Sequence, residues 1–192
     1  MRPGRPTTTR SVLPDYLAPN LRVLFVGINP GLRSAEAGHH FAGPSNRFWK
    51  LLYGAGLVPE PIGYRDDARL LAWGLGLTNL VGRPTASSGH LTPEDYAAGR
   101  RILLRKVRRW RPESIALLGM ILFPILFPHA STLRREAPGL QPVTLYDAKV
   151  FLLPNPSGRN AFYSYETMLQ GFRLLARYSD QTGARSKRSP LV

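Results

Sequence analysis

Cysteine is absent from the 192 residues, which removes disulfides, thiolate metal ligands and cysteine nucleophiles together. Acidic side chains are scarce. Twelve Asp and Glu stand against 26 Lys and Arg, and the resulting net charge of +14 favours a polyanionic partner through steering and counterion release. No apolar run approaches the roughly 18 residues that a membrane-spanning helix needs, and the basic N-terminus lacks the apolar stretch of a secretory signal. No membrane partner is therefore expected, and the expected location is cytoplasmic, on the nucleoid if the source is bacterial. Several enzyme classes are missing their signatures: there is no Walker A loop, no GxGxxG, no HExxH and no nucleophile elbow. The four histidines, His39, His40, His90 and His129, have no metal-ligand spacing, so neither a metal nor a cofactor is expected.

What is present is enough apolar sequence, 43% of residues, for one compact domain. Residues 1–18 are rich in Pro, Thr and Arg without periodicity and read as a flexible basic arm; residues 180–192 read as a basic tail. Between them, residues 19–179 alternate apolar runs with helical patterns. That alternation predicts an α/β fold, a three-layer α/β/α sandwich around a central, mostly parallel sheet. Strands are expected at 22–27, 75–81, 114–119 and 149–153, and helices at 45–54, 66–73, 93–110, 120–126 and 164–178. In the helix at 93–110, Leu103, Val107 and Trp110 recur at helical spacing and should face the sheet. The basic residues around them, Arg100, Arg101, Arg105, Lys106, Arg108, Arg109 and Arg111, read as a solvated face, because α/β sites gather at strand C-termini.

Two of the expected strands end in Asn-Pro turns. Arg22-Val23-Leu24-Phe25-Val26 runs into Gly27-Ile28-Asn29-Pro30-Gly31, and Lys149-Val150-Phe151-Leu152-Leu153 runs into Pro154-Asn155-Pro156-Ser157-Gly158-Arg159-Asn160. An Asn at the C-terminal edge of a parallel sheet sits where open α/β sheets bind ligands. One site built from both halves of the chain is expected.

These turns, together with Phe41-Ala42-Gly43-Pro44-Ser45-Asn46-Arg47-Phe48-Trp49-Lys50 and Leu77-Thr78-Asn79-Leu80-Val81-Gly82-Arg83-Pro84-Thr85, resemble the motifs of the mismatch-specific uracil/thymine DNA glycosylases, in the uracil-DNA glycosylase superfamily. The resemblance spans about residues 20–178 and keeps the family's order and spacing. It implies a monofunctional enzyme, a monomer acting on double-stranded DNA. The enzyme flips a uracil, thymine or exocyclic cytosine adduct mispaired with guanine and hydrolyses its glycosidic bond, the first step of base excision repair. No Lys stands in the matched motifs, so Schiff-base lyase chemistry is not indicated.

Residue by residue, Asn29 matches the position that holds the attacking water. An amide has no useful proton affinity near neutrality, so it orients and does not act as a base. Phe41 matches the ring that stacks on the flipped base, and the N–H groups of Ile28 and Phe41 match the donors to its edge. Gly31 stands where uracil-only relatives carry Tyr, which leaves room for a 5-methyl group or an added ring. Asn155 replaces their His, giving a donor that cannot become cationic. His39 and His40 resemble the eukaryotic thymine-processing branch. Ser157 matches a phosphate contact, and Gly158-Arg159-Asn160 match the wedge that enters the duplex, with Arg159 in place of the apolar residue of the bacterial pattern.

The missing base prompts a search for a carboxylate. Asp95, in Thr92-Pro93-Glu94-Asp95, follows the loop leaving the strand at 75–81 and is a candidate catalytic residue; Glu36 is a second. The competing account of Asp95 is a capping arrangement, with Thr92 as N-cap and Pro93 at the first helical position. Two other functions compete with the glycosylase. A non-catalytic module for mismatched or damaged DNA would use the same basic surface without leaving an abasic site. A hydrolase of free nucleosides would need neither the wedge nor the charge.

Overall fold

The computed structural model describes residues 12–130 and 137–186, the last five by backbone alone. Five strands, β1 (Val23–Gly27), β2 (Leu75–Asn79), β3 (Ser114–Leu118), β4 (Gly139–Leu145) and β5 (Ala148–Leu153), form one sheet in the order β2-β1-β3-β5-β4. β2, β1, β3 and β5 run parallel and β4 is antiparallel to β5. Every residue of β1 and β3 is buried, as expected for strands covered on both faces. Their alternate side chains feed two cores. Val23 and Phe25 join Phe48, Leu52 and Phe172 from α2 (Phe48–Gly54) and α5 (Tyr165–Ser186) on one face. Leu24 and Val26 join Leu103, Val107 and Leu122 on the other face, from α3 (Pro93–Trp110) and α4 (Leu122–Leu126). The fold is therefore the α/β/α sandwich expected from the alternating pattern.

The helix at 93–110 starts as its sequence specifies. Thr92 Oγ1 accepts from the Asp95 N–H, the Asp95 carboxylate accepts from the Thr92 N–H, and Pro93 occupies the first turn. Leu103 and Val107 are fully buried, but Trp110 is only partly so. The basic face is not uniformly solvated. Lys106 bridges Asp15 at 2.6 Å and Thr78, and Arg100 donates to the Leu126 carbonyl. Gly99 allows α3 to press on the chain leaving β2, since a Cβ there would sit 2.4 Å from the Leu80 carbonyl oxygen.

Four elements differ from expectation. The antiparallel β4, the short helix α1 (Leu32–Ala37) and a 3-10 turn at Ser88–His90 were not anticipated, and residues 64–73 form 3-10 turns in place of an α-helix over 66–73. Both boundaries of the packed body also move outward. Residues 12–18 are not a free arm: Leu13 is buried, Tyr16 bridges to Leu77 through two backbone hydrogen bonds, and Asp15 pairs with Lys106. At the other end α5 continues past 180, and Asp180 pairs with Arg22 at 2.8 Å. A tail that reaches a buried strand gains hydrogen-bond partners that composition does not reveal. Residues 1–11 and 187–192 lie outside the described part.

Candidate active site

The four parallel strands deliver their C-terminal ends to one edge, where a cleft of about 740 Å³ opens. Its lining includes Asn29 after β1, Asn79 at the end of β2, Leu118 at the end of β3 and Asn155 after β5. β1 leads on to β2 while its other neighbour, β3, leads on to the opposite side of the sheet, the kind of switch point at which such sheets bind ligands. Ile28, Gly31, His40, Phe41, Ser157, Gly158, Arg159 and Asn160 line the same cleft. Residues far apart in sequence thus meet as the two Asn-Pro turns required.

The Asn29 amide has a fixed orientation. Its Nδ2 donates to Thr85 Oγ1 at 2.7 Å, to the Pro30 carbonyl at 3.1 Å and to the Arg83 carbonyl at 3.3 Å. Thr85 Oγ1 gives its own proton to the Ser87 carbonyl at 2.7 Å, so toward Asn29 it can only accept. The amide nitrogen is thereby assigned to Thr85, and Oδ1 is left as an acceptor in the cleft. Backbone pairing of Thr85 N with the Pro30 carbonyl at 3.1 Å ties the two segments together.

Phe41 is held in a left-handed conformation, φ 52°, which costs a non-glycine residue on the order of 1–3 kcal/mol and persists only where its surroundings enforce it. They do so from both sides. The His40 N–H donates to buried Asp67 and the Ala42 N–H donates to Ser34 Oγ. Asp67 also accepts from the Tyr16 hydroxyl and meets His39 Nδ1 at 3.1 Å. Burial, and then the Asp67 hydrogen bond, pushes the Tyr16 hydroxyl up to about 12, so it stays a donor. The His40 ring is buried against the Pro14 carbonyl at 2.8 Å, and burial holds its pKa below the ordinary value. Phe41 packs on Phe48 with centroids 4.2 Å apart, a rigid support for a ring at the cleft. Among the described residues no protein acceptor takes the N–H of Ile28 or of Phe41.

Asn155 is oriented in the opposite sense to Asn29. Its Oδ1 accepts from the Ser157 N–H at 3.0 Å, leaving Nδ2 as the donor available to the cleft. The turn that follows is pinned by Arg47, whose guanidinium donates to the carbonyls of Ser157, Asn160 and Tyr163. Asn160 Nδ2 donates back to the Asn155 carbonyl. Arg159 reaches from this turn to the Ala86 carbonyl on the loop after β2, another lining residue. A Cβ at Gly31 would meet nothing within 4 Å, so the floor beside Asn29 is open.

Asp95 does not line the cleft. It pairs with Arg83 and caps α3, and these two interactions, the Arg83 bond first, hold its carboxyl down at about 2. Its bonds explain it as a capping and bracing residue. Glu36, the weaker candidate by sequence, is the acidic residue among those lining the cleft. Among the described residues no three His, Asp or Glu gather as a metal site. Sequence reasoning missed Thr85, Arg47 and Asp67. Each acts on a partner far along the chain, although Thr85 and Arg47 stand inside the motifs already quoted.

Comparison with known proteins bears on the fold and on the family. The solution NMR structure of a "putative Uracil DNA glycosylase" from Methanosarcina acetivorans matches with a TM-score of 0.56. The match covers 87% of this chain and 98% of that one, at 17% identity, and so speaks to the fold alone. The family model of the uracil DNA glycosylase superfamily matches residues 14–175, and the chain belongs to that superfamily of DNA glycosylases.

Proposed function

We propose that the chain is a monofunctional, mismatch-directed DNA glycosylase that excises uracil, thymine or exocyclic cytosine adducts placed opposite guanine. The observation that carries this reading is the fixed Asn29 amide, whose Oδ1 meets no hydrogen-bond donor among the described residues and which lines the same cleft as Phe41. The flipped base stacks on Phe41, accepts from the N–H groups of Ile28 and Phe41, and accepts from Asn155 Nδ2 as negative charge grows on it. Asn29 Oδ1 accepts from a water aimed at the sugar carbon. The glycosidic bond breaks with its electron pair going to the base. The water oxygen bonds to the oxocarbenium-like carbon and its proton passes to solvent. Because an amide only orients, the chemistry is slow beside that of a carboxylate enzyme. The open space at Gly31 supports substrates larger than uracil.

The test is incubation with G·U, G·T and single-stranded uracil oligonucleotides, with and without chelator, followed by alkaline cleavage at abasic sites. Uracil release from G·U in full chelator is expected. Release that appears only with an added divalent ion overturns the scheme, and tight binding with no abasic product supports a binding module in its place.

Arg159 supplies the wedge in this reading, filling the space left by the flipped nucleotide through its planar guanidinium. Arg159→Ala is expected to slow excision from duplex more than from single strands, where no gap opens, and to matter less for weakly paired targets. Arg159→Leu should restore part of the duplex rate. Equal losses on both substrates would make Arg159 a phosphate contact.

A further inference from the structure

Phe162 is 86% exposed, the most exposed large apolar side chain among the described residues. Exposed apolar residues are common, and exposure by itself assigns nothing. The segment that carries this one is unusual in how firmly it is held. Arg47 binds the backbone at Ser157, Asn160 and Tyr163, on both sides of the ring. The Phe162 N–H donates to Asn160 Oδ1 at 3.2 Å, and Asn160 Nδ2 is tied to the Asn155 carbonyl. Behind Phe162, Tyr163 meets it edge to face, with centroids 4.9 Å apart and planes at 71°. Tyr163 in turn packs on the core that includes Phe48 and Phe172. The ring is thus braced on a rigid support and offered to solvent, a preorganisation that lowers the ordering cost of binding. It sits three residues beyond Arg159, on the turn whose residues 157–160 form one wall of the cleft.

We propose that Phe162 is a second duplex-engaging side chain, stacking on a base left unstacked beside the flipped nucleotide. The proposal rests on the glycosylase reading above and deepens it. The occupant is a nucleobase face because the turn borders the cleft that would receive the flipped base, and because a chain of charge +14 is drawn to the phosphates flanking it. A rigid aromatic ring suits this position: every base has a π-face, and stacking of this kind is worth about 1–3 kcal/mol per base. Two probes then divide the work. Arg159, charged and reaching across the cleft mouth to Ala86, answers the phosphates and the gap, while Phe162 supplies apolar stacking on the neighbouring step.

The experiment measures three substitutions, Phe162→Ala, Phe162→Ser and Phe162→Trp, in the full chain. Binding is read on a G·U duplex and on the same uracil strand alone, with 2-aminopurine next to the target as a stacking reporter, and excision is followed on both. Phe162→Ala and Phe162→Ser are expected to weaken duplex affinity about 5- to 150-fold, from the 1–3 kcal/mol above. They should also abolish the change in 2-aminopurine fluorescence and have a smaller effect on the single strand. Phe162→Trp should retain both signals. Thermal melting should stay unchanged for all three, since the ring is solvated in the free protein. Wild-type duplex affinity in Phe162→Ala, or equal losses on duplex and single strand, overturns the proposal. If the wild-type chain releases no base but its duplex binding still depends on Phe162, the catalytic reading fails and the stacking assignment stands.

Discussion

Asn29→Ala is expected to lower base release from a G·U duplex by roughly 10²-fold or more while leaving duplex affinity nearly unchanged. The size follows from losing a positioned polar group at the reacting centre, where such groups contribute 10²- to 10³-fold. Affinity survives because the Asn29 side chain bonds to Pro30, Arg83 and Thr85, while Arg47 holds the 157–163 turn and Phe48 supports the ring of Phe41. The amide is held by its nitrogen alone, so Thr85→Val should give a smaller loss of the same kind: Oδ1 remains and the Pro30 and Arg83 carbonyls still hold the nitrogen, but its shortest bond is gone. Single-turnover rates beside equilibrium binding separate these outcomes. A wild-type rate for Asn29→Ala would reduce Asn29 to a turn residue. Asp95→Asn is the matched control. Its carboxyl braces Arg83 and caps α3 outside the cleft, so excision should change little. A loss comparable to that of Asn29→Ala would transfer the catalytic assignment to Asp95.

The features legible in the sequence were those whose physics is local. The four parallel strands were visible as apolar runs closed by Gly, Pro or polar residues. The start of α3 was spelled out by Thr92, Pro93 and Asp95. The antiparallel strand β4 was not, because Pro142 removes a donor and demotes the segment, a cost tolerated at a sheet edge. Its hairpin also turns through Tyr146 and Asp147, both with positive φ, where Asn-Gly would have advertised the same turn. α1 is too short for a periodic signal and has no side-chain cap.

The site divides in the same way. Asn29, Phe41 and Asn155 stand in contiguous motifs, and all three meet in one cleft. The residues that aim them do so across the fold. Thr85 lies 56 positions from Asn29, Asp67 lies 27 from His40, and Arg47 lies 113 from Asn160. A hydroxyl that turns an amide, or a guanidinium that gathers three carbonyls, leaves no spacing in the sequence. Asp67 stands in the segment expected to form a helix over 66–73, with nothing local to mark it, yet it is buried and fixes the strained segment that carries Phe41.

Gly158→Ala is expected to cost about as much activity as losing Asn29, through geometry alone. A Cβ at Gly158 would lie 2.2 Å from Ser45 Oγ, 2.4 Å from Ser45 Cβ and 2.7 Å from the Ser45 carbonyl oxygen. No rotamer change relieves the last of these, because the backbone fixes the Cβ position and the Ser45 oxygen is main chain. The turn must therefore move away from the 43–47 segment. The same turn carries the Ser157 N–H that fixes Asn155 and the carbonyls gathered by Arg47, so the shift spreads to the base donor and to Arg159 and Phe162 together. Misplacement of about 1 Å costs on the order of 10²-fold in a site of this kind. The double variant Ser45→Gly, Gly158→Ala separates steric displacement from a general loss of stability. Removing the Ser45 side chain eliminates the two closest contacts but leaves the carbonyl in place, so excision should recover in part and not fully. Ser45→Gly alone should be nearly silent. Full wild-type activity in Gly158→Ala would mean that the turn has room to move without disturbing the site, and that the tight seat between Gly158 and Ser45 does not set the position of Asn155.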